Sequence, residues 1–145
     1  MEIAELLERT RQSELLRTFD IEIERAEKNF VVLSMPVTPK VHQYIGIMNG
    51  GVSLLLAETA ASLGAVISSD LGKVTPVGIE INANHLRAVS RGRLRVEASN
   101  VYHGRTLSVW QIEIRNERKK LVCVSRCTLS LKKGAAFPSE PHGDG

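Results

Sequence analysis

Apolar residues follow two different periods along this chain. From Gly50 to Ile67 nearly every position is apolar or small, which predicts a helix that is enclosed on most sides. Asn49 is a favoured N-cap for this helix, and residues 70–73, with a glycine at position 72, are expected to end it. Apolar residues with helical spacing also predict an amphipathic helix at the N-terminus: Ile3, Leu6, Leu7, Leu15 and Leu16.

The remaining segments alternate apolar and polar residues with the period of two that is typical of strands. The predicted strands are residues 19–24, 30–36, 77–88, 94–102, 107–115 and 121–131. Because the apolar helix needs cover on most faces, this order predicts an α+β fold in which an antiparallel sheet curls around a long central helix. One chain cannot easily bury both the helix and the outward apolar residues of its sheet, so we expect a dimer at least.

Composition and charge narrow the possible classes of protein. A chain of 145 residues with 43 % hydrophobic and 24 % charged residues is long enough for one globular domain, which we place at residues 1–133. Residues 134–145 are rich in Pro and Gly and predict a disordered tail. The net charge is only +3, the basic residues are scattered, and aromatic residues make up 4 % of the chain, so nucleic-acid binding is disfavoured.

Several features predict a cytoplasmic protein that needs no metal or redox cofactor. The acidic N-terminus lacks the pattern of a signal peptide, and Glu58 in the middle of the apolar run argues against a membrane span. Cys123 and Cys127 lie on one face of a predicted strand, roughly 13 Å apart, which is too far for a disulfide. No cluster of Cys and His residues with zinc-ligand spacing accompanies them.

Glu58 is the only charged residue between Gln43 and Ser69. A carboxylate in such apolar surroundings is costly unless it is paired, neutralised or used, so Glu58 is either a salt-bridged structural residue or part of an active site. The first amides of a helix are unpaired donors, and the Gly51 N–H is therefore a candidate carbonyl anchor, while Gly50 could serve only close packing. Glu58 lies about 10 Å further along the axis, so two antiparallel copies of the helix are needed to bring both groups to one carbonyl.

Two more polar residues are candidates for the same site. Ser62 lies one turn past Glu58 on the same helix face and could hydrogen-bond the carboxylate or a water, or could simply be a small residue in a tight helix contact. Gln43, in the loop before the helix, could position a carbonyl group or could be solvated like most polar loop residues.

The same segments carry a family resemblance. The stretches HQYIGIMNGGVSLLLAETAAS (residues 42–62), GIEINANH (residues 78–85) and VWQIEI (residues 109–114) resemble hotdog-fold acyl-CoA thioesterases. The chain is most similar to the branch that hydrolyses aryl-CoA thioesters such as 1,4-dihydroxy-2-naphthoyl-CoA and proofreads carrier-bound aryl groups. The resemblance extends from about Phe19 to Leu131 and implies a hotdog fold, an acyl-CoA substrate, no cofactor, and a homodimer or a dimer-of-dimers tetramer.

The resemblance also implies roles for individual residues. Glu58 would be the catalytic nucleophile or general base, the Gly51 amide would polarise the thioester carbonyl, Gln43 would orient it, and Ser62 would support the attacking water. Arg87 and Arg105 would be suited to CoA phosphates, although solvated surface arginine is the more frequent fate of such residues. The expected substrate-binding residues are Gly78, His85, Leu86, Arg87, Ala88, Tyr102, His103, Gly104, Arg105 and Thr106.

The chain departs from the family pattern at one position. Where the family usually has His before the glycine pair, this chain has Asn49, which can cap the helix and donate a hydrogen bond but cannot carry a proton. We expect this substitution to affect rate and substrate preference more than the class of reaction.

Two other functions compete with thioester hydrolysis. A non-catalytic hotdog module that binds acyl groups, or only dimerises, would tolerate loss of Glu58, and the intact carboxylate argues against it. A hotdog dehydratase or hydratase would need a His–acid pair at the substrate, and neither His42 nor His85 has an evident acid partner in the sequence.

Overall fold

The computed structural model of the protein describes residues 1–134, so most of the predicted tail (residues 135–145) lies outside the described residues. Two short helices, α1 (Ile3–Arg11) and α2 (Glu14–Thr18), precede the strands β1 (Glu22–Glu27) and β2 (Phe30–Pro36). The long helix α3 (Gly50–Ile67) follows a single 3-10 turn at Pro39–Val41. Four strands complete the fold: β3 (Val74–His85), β4 (Arg93–His103), β5 (Leu107–Arg115) and β6 (Leu121–Lys133).

All six strands form one antiparallel sheet in the order β1-β2-β4-β5-β6-β3. Helix α3 contacts every strand of this sheet, and its side chains Leu56, Ala57, Ala60 and Ala61 are fully buried. The predicted α+β architecture, an antiparallel sheet packed around one long central helix, is therefore confirmed. The two edge strands of the sheet are β1 and β3.

Helix α3 is the one helix of residues 1–134 whose length and apolar composition would allow it to cross a membrane. Half of this segment is already buried against the protein's own sheet, as expected of a core helix. Most of the other residues of α3 line an apolar groove on the side that the sheet does not cover.

Close packing between Gly64 and Trp110 sets the distance between α3 and the sheet. A Cβ at Gly64 would lie 2.7 Å from Cζ3 of the Trp110 ring, so only glycine lets the helix approach this strand. Trp110 is fully buried, and its Nε1–H donates to Ser108 Oγ at 2.8 Å. The aromatic ring therefore has its polar atom satisfied in the core, as buried tryptophan requires.

The N-terminal region differs from the sequence prediction. The single predicted helix is two helices, because Ser13 ends the first segment and caps the second by accepting a hydrogen bond from the Leu16 N–H. The first strand begins at Glu22 rather than at residue 19. Asp20 adopts a left-handed φ of 55°, which ends α2 and turns the chain before the strand can start.

Two other boundaries also differ. Helix α3 ends at Ile67 with Ser68 as its C-cap, and Gly72, with φ +85°, lies in the turn that follows. Strand β3 runs from Val74 to His85, three residues earlier at both ends than predicted, because its ladder with β6 ends at the His85–Cys123 pair. Ala88, predicted to lie in the strand, is therefore part of the loop after it.

Candidate active site

An apolar groove runs along the face of α3 that the sheet does not cover, and we call it the Glu58 groove. It has a volume of about 690 Å³ and contains three of the predicted catalytic residues, Gly51, Glu58 and Ser62. The N-terminal helices supply one wall and the start of β3 the other. Its remaining lining residues are Leu6, Thr10, Leu15, Leu54, Leu55, Thr59, Leu63, Val66, Thr75 and Pro76.

The Glu58 side chain is half-buried in this groove and has no structural partner. Among the ion pairs and hydrogen bonds of residues 1–134, none involves its carboxylate. The salt-bridged structural role that the sequence left open therefore has no support in the described part of the chain. A carboxylate without an ion pair or hydrogen bond, in a groove lined by leucine side chains, is a candidate functional group.

Strand β3 shapes the space in which the Glu58 carboxylate lies. Gly78 is in contact with Glu58, and a Cβ at position 78 would overlap Oε1 of the carboxylate. The pairing of β3 with β6 shifts register between Gly78 and Glu80, which marks a β-bulge at this point. Gly78 was predicted as a substrate-binding residue, and the structure shows that it makes room for Glu58.

The buried thiol of Cys127 lies close to the same carboxylate. Burial, together with the charges of Glu58 and Glu80, raises the pKa of Cys127 to about 12. Cys127 therefore stays a protonated thiol at neutral pH and is no candidate nucleophile. Cys123 and Cys127 are both free and fully buried, as expected of two cysteines predicted to lie too far apart for a disulfide.

Substitution of Gly78 tests whether the position of the carboxylate matters. We expect Gly78→Ala to displace Glu58 and to lower kcat by at least tenfold, or about 1.4 kcal/mol in the barrier. The loss should disappear in a background that already carries Glu58→Ala, since the effect passes through the carboxylate. Steady-state assays of the two single variants and the double variant measure this coupling. Wild-type kcat in Gly78→Ala would show that the position of the Glu58 carboxylate does not affect turnover.

A second cavity, of about 400 Å³, lies at the N-terminus of α3, and we call it the Gly50 cavity. The loop before the helix is held by the hydrogen bonds Gln43 N–H to Ile47 O (2.8 Å) and Met48 N–H to Val89 O (2.7 Å). This loop places Gln43 beside Gly50, and His85 packs on the glycine so closely that a Cβ would lie 2.9 Å from Nε2. The cavity is lined by Gln43, Ile47, Met48, Gly50, Ser53, His85, Leu86, Arg87, Ala88, Val89 and Val122.

The free amide at this helix terminus is that of Gly50. The Gly51 N–H, predicted as the carbonyl donor, donates instead to Oδ1 of Asn49 at 2.8 Å. Asn49 is thus confirmed as the N-cap, and a cap side chain occupies the second helical amide by its ordinary geometry. None of residues 1–134 accepts a hydrogen bond from the Gly50 N–H, which leaves it available to a ligand.

A basic cleft of about 560 Å³ adjoins the Gly50 cavity, since Arg87, Ala88 and Val89 line both. The turn between β5 and β6 contributes Arg118 and Lys120, so positive charge predominates although Glu117 is also present. The Glu117 carboxylate accepts from the Arg93 N–H at 2.9 Å, which holds it at one side. The sequence singled out only Arg87 of these basic residues; Arg118 and Lys120 were missed because their turn is distant from Arg87 along the chain.

The predicted substrate-binding residues of the β4–β5 turn lie away from the groove and the two cavities in this fold. His103 hydrogen-bonds Ser108 Oγ at 2.8 Å and Ser69 Oγ at 3.4 Å, which places it beyond the C-terminal end of α3. Burial lowers the pKa of His103, so the ring is neutral at pH 7. None of these turn residues lines either cavity or the groove: Tyr102, His103, Gly104, Arg105 and Thr106.

Comparison with known proteins places the chain in a family. Residues 45–123 match the family model of the thioesterase superfamily. The chain belongs to the thioesterase superfamily. It is 44 % identical over 119 residues to a 1,4-dihydroxy-2-naphthoyl-CoA hydrolase of Listeria monocytogenes, covering 82 % of this chain and 96 % of the relative. The protein of the same name from Escherichia coli is 37 % identical, covering 77 % of this chain and 82 % of the relative.

Solved structures agree with this assignment. A thioesterase from Haemophilus influenzae superimposes with a TM-score of 0.82 at 39 % identity, covering 92 % of both chains. A hypothetical protein from Staphylococcus aureus, in a variant with a glutamate replaced by alanine, has a TM-score of 0.81 at 42 % identity. That match covers 83 % of this superfamily member and 99 % of the other chain. The resemblance and the hotdog fold predicted from the sequence are confirmed.

Proposed function

We propose that this protein is an acyl-CoA thioesterase that hydrolyses a CoA thioester of an aryl or medium-length acyl group. The observation that carries the proposal is the Glu58 carboxylate, which lies unpaired in an apolar groove on the same helix whose first amide is free. A thioesterase needs a carboxylate to activate water or attack the carbonyl, and a donor for the oxyanion that forms. Glu58 and the Gly50 N–H supply these two groups.

The active site combines two copies of the chain. In one chain, Glu58 opens into the groove while the Gly50 N–H opens into a separate cavity at the end of the helix. Two antiparallel α3 helices packed through their uncovered faces bring the Glu58 of one copy to the Gly50 of the other. The same pairing places each β4–β5 turn, with its His103 and Arg105, near the partner's helix N-terminus.

An exposed edge strand supports this dimer. Strand β3 ends the sheet, is twelve residues long, and leaves Val77 and Ile79 exposed at 39 % and 58 %. A long edge strand with apolar side chains favours pairing with a second strand, and a second copy of β3 would bury the edge and enclose the groove beside it. We propose a homodimer, with a dimer of dimers as the larger assembly, because Val101 and Tyr102 form a further exposed apolar surface.

The cavities match the parts of an acyl-CoA molecule. The apolar Glu58 groove of one copy takes the acyl group, and the smaller Gly50 cavity of the other copy takes the thioester and the pantetheine arm. The basic cleft next to it, with Arg87, Arg91 and Arg118, takes the phosphates. Gln43 orients the carbonyl from the loop, and Asn49 fixes the helix terminus by occupying the Gly51 amide.

The reaction is a hydrolysis in which atoms and charges balance. As general base, Glu58 takes a proton from water while the water oxygen bonds to the thioester carbon, with Ser62 supporting that water. The carbonyl oxygen becomes negative and accepts from the Gly50 N–H. The C–S bond then breaks, and the CoA thiolate takes from Glu58 the proton that came from water. If Glu58 acts as nucleophile, its carboxylate oxygen bonds to the acyl carbon and the CoA thiolate leaves. Water then cleaves the acyl anhydride to the free acid and Glu58, and the proton released goes to the thiolate.

The names of two relatives support the proposed substrate class, and the variants made of a third support the choice of Glu58 and Gln43. The Listeria monocytogenes and Escherichia coli relatives are named for hydrolysis of an aryl-CoA thioester. The Staphylococcus aureus protein has been crystallised as variants in which a glutamate or a glutamine is replaced by alanine, and those positions have the same separation as Glu58 and Gln43. Two free buried cysteines fit a reducing compartment, and we propose a cytoplasmic location.

The proposal is tested with a panel of CoA thioesters that includes benzoyl-CoA, naphthoyl-CoA, hexanoyl-CoA and acetyl-CoA. We expect hydrolysis of the aryl or medium-length esters, measured as free thiol released over time, and little hydrolysis of acetyl-CoA, which cannot fill the groove. The Glu58→Ala variant is the matched control. Binding of the esters with no thiol release by the wild-type protein would favour the non-catalytic acyl-binding module instead.

A further inference from the structure

Ser53 carries a buried hydroxyl with no hydrogen-bond partner. Its side chain is 1 % exposed, and its Oγ is the one such buried side-chain atom without a partner among residues 1–134. Burying a hydroxyl without a partner costs free energy, so native proteins keep few such groups. A hydroxyl in a helix ordinarily donates to the carbonyl four residues earlier. Thr59 in the same helix does so, to Leu55 O at 2.6 Å.

The unpaired hydroxyl belongs to the Gly50 cavity. Ser53 lines that cavity and lies on the same helix face as Gly50, one turn later, with its side chain tilted toward the helix N-terminus. Gln43 and His85 line the same space, and their side chains likewise make no hydrogen bond to any residue in 1–134. Gln43 and His85 are reached by solvent, whereas Ser53 Oγ is not. Rotation of the Ser53 side chain about χ1 into the cavity would give its hydroxyl an acceptor when a molecule binds there.

We propose that Ser53 is a second donor to the thioester carbonyl, acting beside the Gly50 N–H on the oxygen that becomes negative. This inference rests on the proposed thioesterase function and adds a catalytic residue to it. A single amide gives an oxyanion only one strong hydrogen bond, and acyl-transfer sites stabilise it with preorganised donors. The cavity offers the Ser53 O–H within one helical turn of that amide. The cost of leaving the hydroxyl unpaired in the free enzyme is recovered when the carbonyl binds.

The test compares two buried serines, one unpaired and one paired. Ser53→Ala removes an unpaired hydroxyl and introduces a better helix former, so we expect an unchanged or higher melting temperature. Its kcat should fall on the order of 10²-fold, the usual loss for one oxyanion donor, with KM little changed. Ser125→Ala is the matched control, because Ser125 Oγ donates to Asn82 O at 2.8 Å. It should lower the melting temperature and leave kcat unchanged.

The assay uses the CoA thioester that the wild-type protein hydrolyses fastest in the panel. Ser53→Cys, which fills the space with a weak donor, should lose kcat as Ser53→Ala does. Wild-type kcat in Ser53→Ala, or a loss that follows a lowered melting temperature, would overturn the proposal. A raised KM with unchanged kcat would also overturn it, because the hydroxyl would then bind the ground state only. If Glu58→Ala is inactive in the same assays, those outcomes leave the thioesterase function intact. A wild-type protein that releases no thiol would overturn both.

Discussion

Glu58→Gln is expected to abolish most of the turnover of a CoA thioester while leaving its binding intact. Glutamine keeps the volume of the side chain and one acceptor oxygen, but it can neither take a proton from water nor attack the carbonyl carbon. A positioned base contributes about 10²- to 10⁴-fold to rate, so we expect kcat to fall by at least that range. Single-turnover assays of thiol release measure the loss, and isothermal titration with substrate measures the binding.

Stability provides the control for this variant. Glu58 has no ion pair or hydrogen bond within residues 1–134, so replacing it with a neutral side chain should not lower the melting temperature. It should remain equal or rise. Near wild-type hydrolysis by Glu58→Gln would make Glu58 a bystander and remove the proposed function. A large fall in melting temperature would instead identify a structural role that the chain's own contacts do not explain.

Mixing two inactive variants is expected to restore activity. Gly50→Val places a side chain against the His85 ring, where even a Cβ would lie 2.9 Å from Nε2, and blocks the Gly50 cavity. Glu58→Ala removes the carboxylate. In a dimer containing one chain of each, one site has both groups and the other has neither. Random exchange at equal concentrations should therefore give about a quarter of the wild-type activity.

The mixing experiment is conclusive only if the two variants are shown to exchange chains and form heterodimers. Differently tagged chains, mixed in mild denaturant and dialysed, allow heterodimers to be purified and assayed alone. A mixture of Glu58→Ala with Glu58→Gln, handled in the same way, is the control and should stay inactive. Purified heterodimers of Gly50→Val and Glu58→Ala with no activity would show that both groups act within one chain.

Much of the fold could be predicted because its signals are local. The apolar run of α3 and the alternation of β5 identified those elements with their observed limits at Gly50 and Arg115. The predictions failed where a single residue decided the local backbone: Ser13 caps a second helix, and Asp20 turns the chain before β1. Pattern alone does not reveal such residues, since Ser and Asp also occur within elements.

The site was predicted less completely than the fold. Glu58 could be identified as a candidate from one charge in an apolar run, and the structure adds that its carboxylate is unpaired within residues 1–134. The occupation of the Gly51 amide could have been predicted from the sequence, because an Asn N-cap accepts from the second helical amide and leaves the first free. The role of Gly78 could not, because it depends on a contact between β3 and α3.

The sequence by itself determined the order of helix and strands, the family, and the unusual position of Glu58, because each depends on residues that are close along the chain. The tertiary structure decided which polar groups share a space. Gln43, Ser53 and His85 meet in one cavity although many residues separate them, and the Ser53 hydroxyl is fully buried there without a partner within residues 1–134. Side-chain burial and hydrogen bonding depend on distant segments packing together, which residue patterns along the chain do not specify.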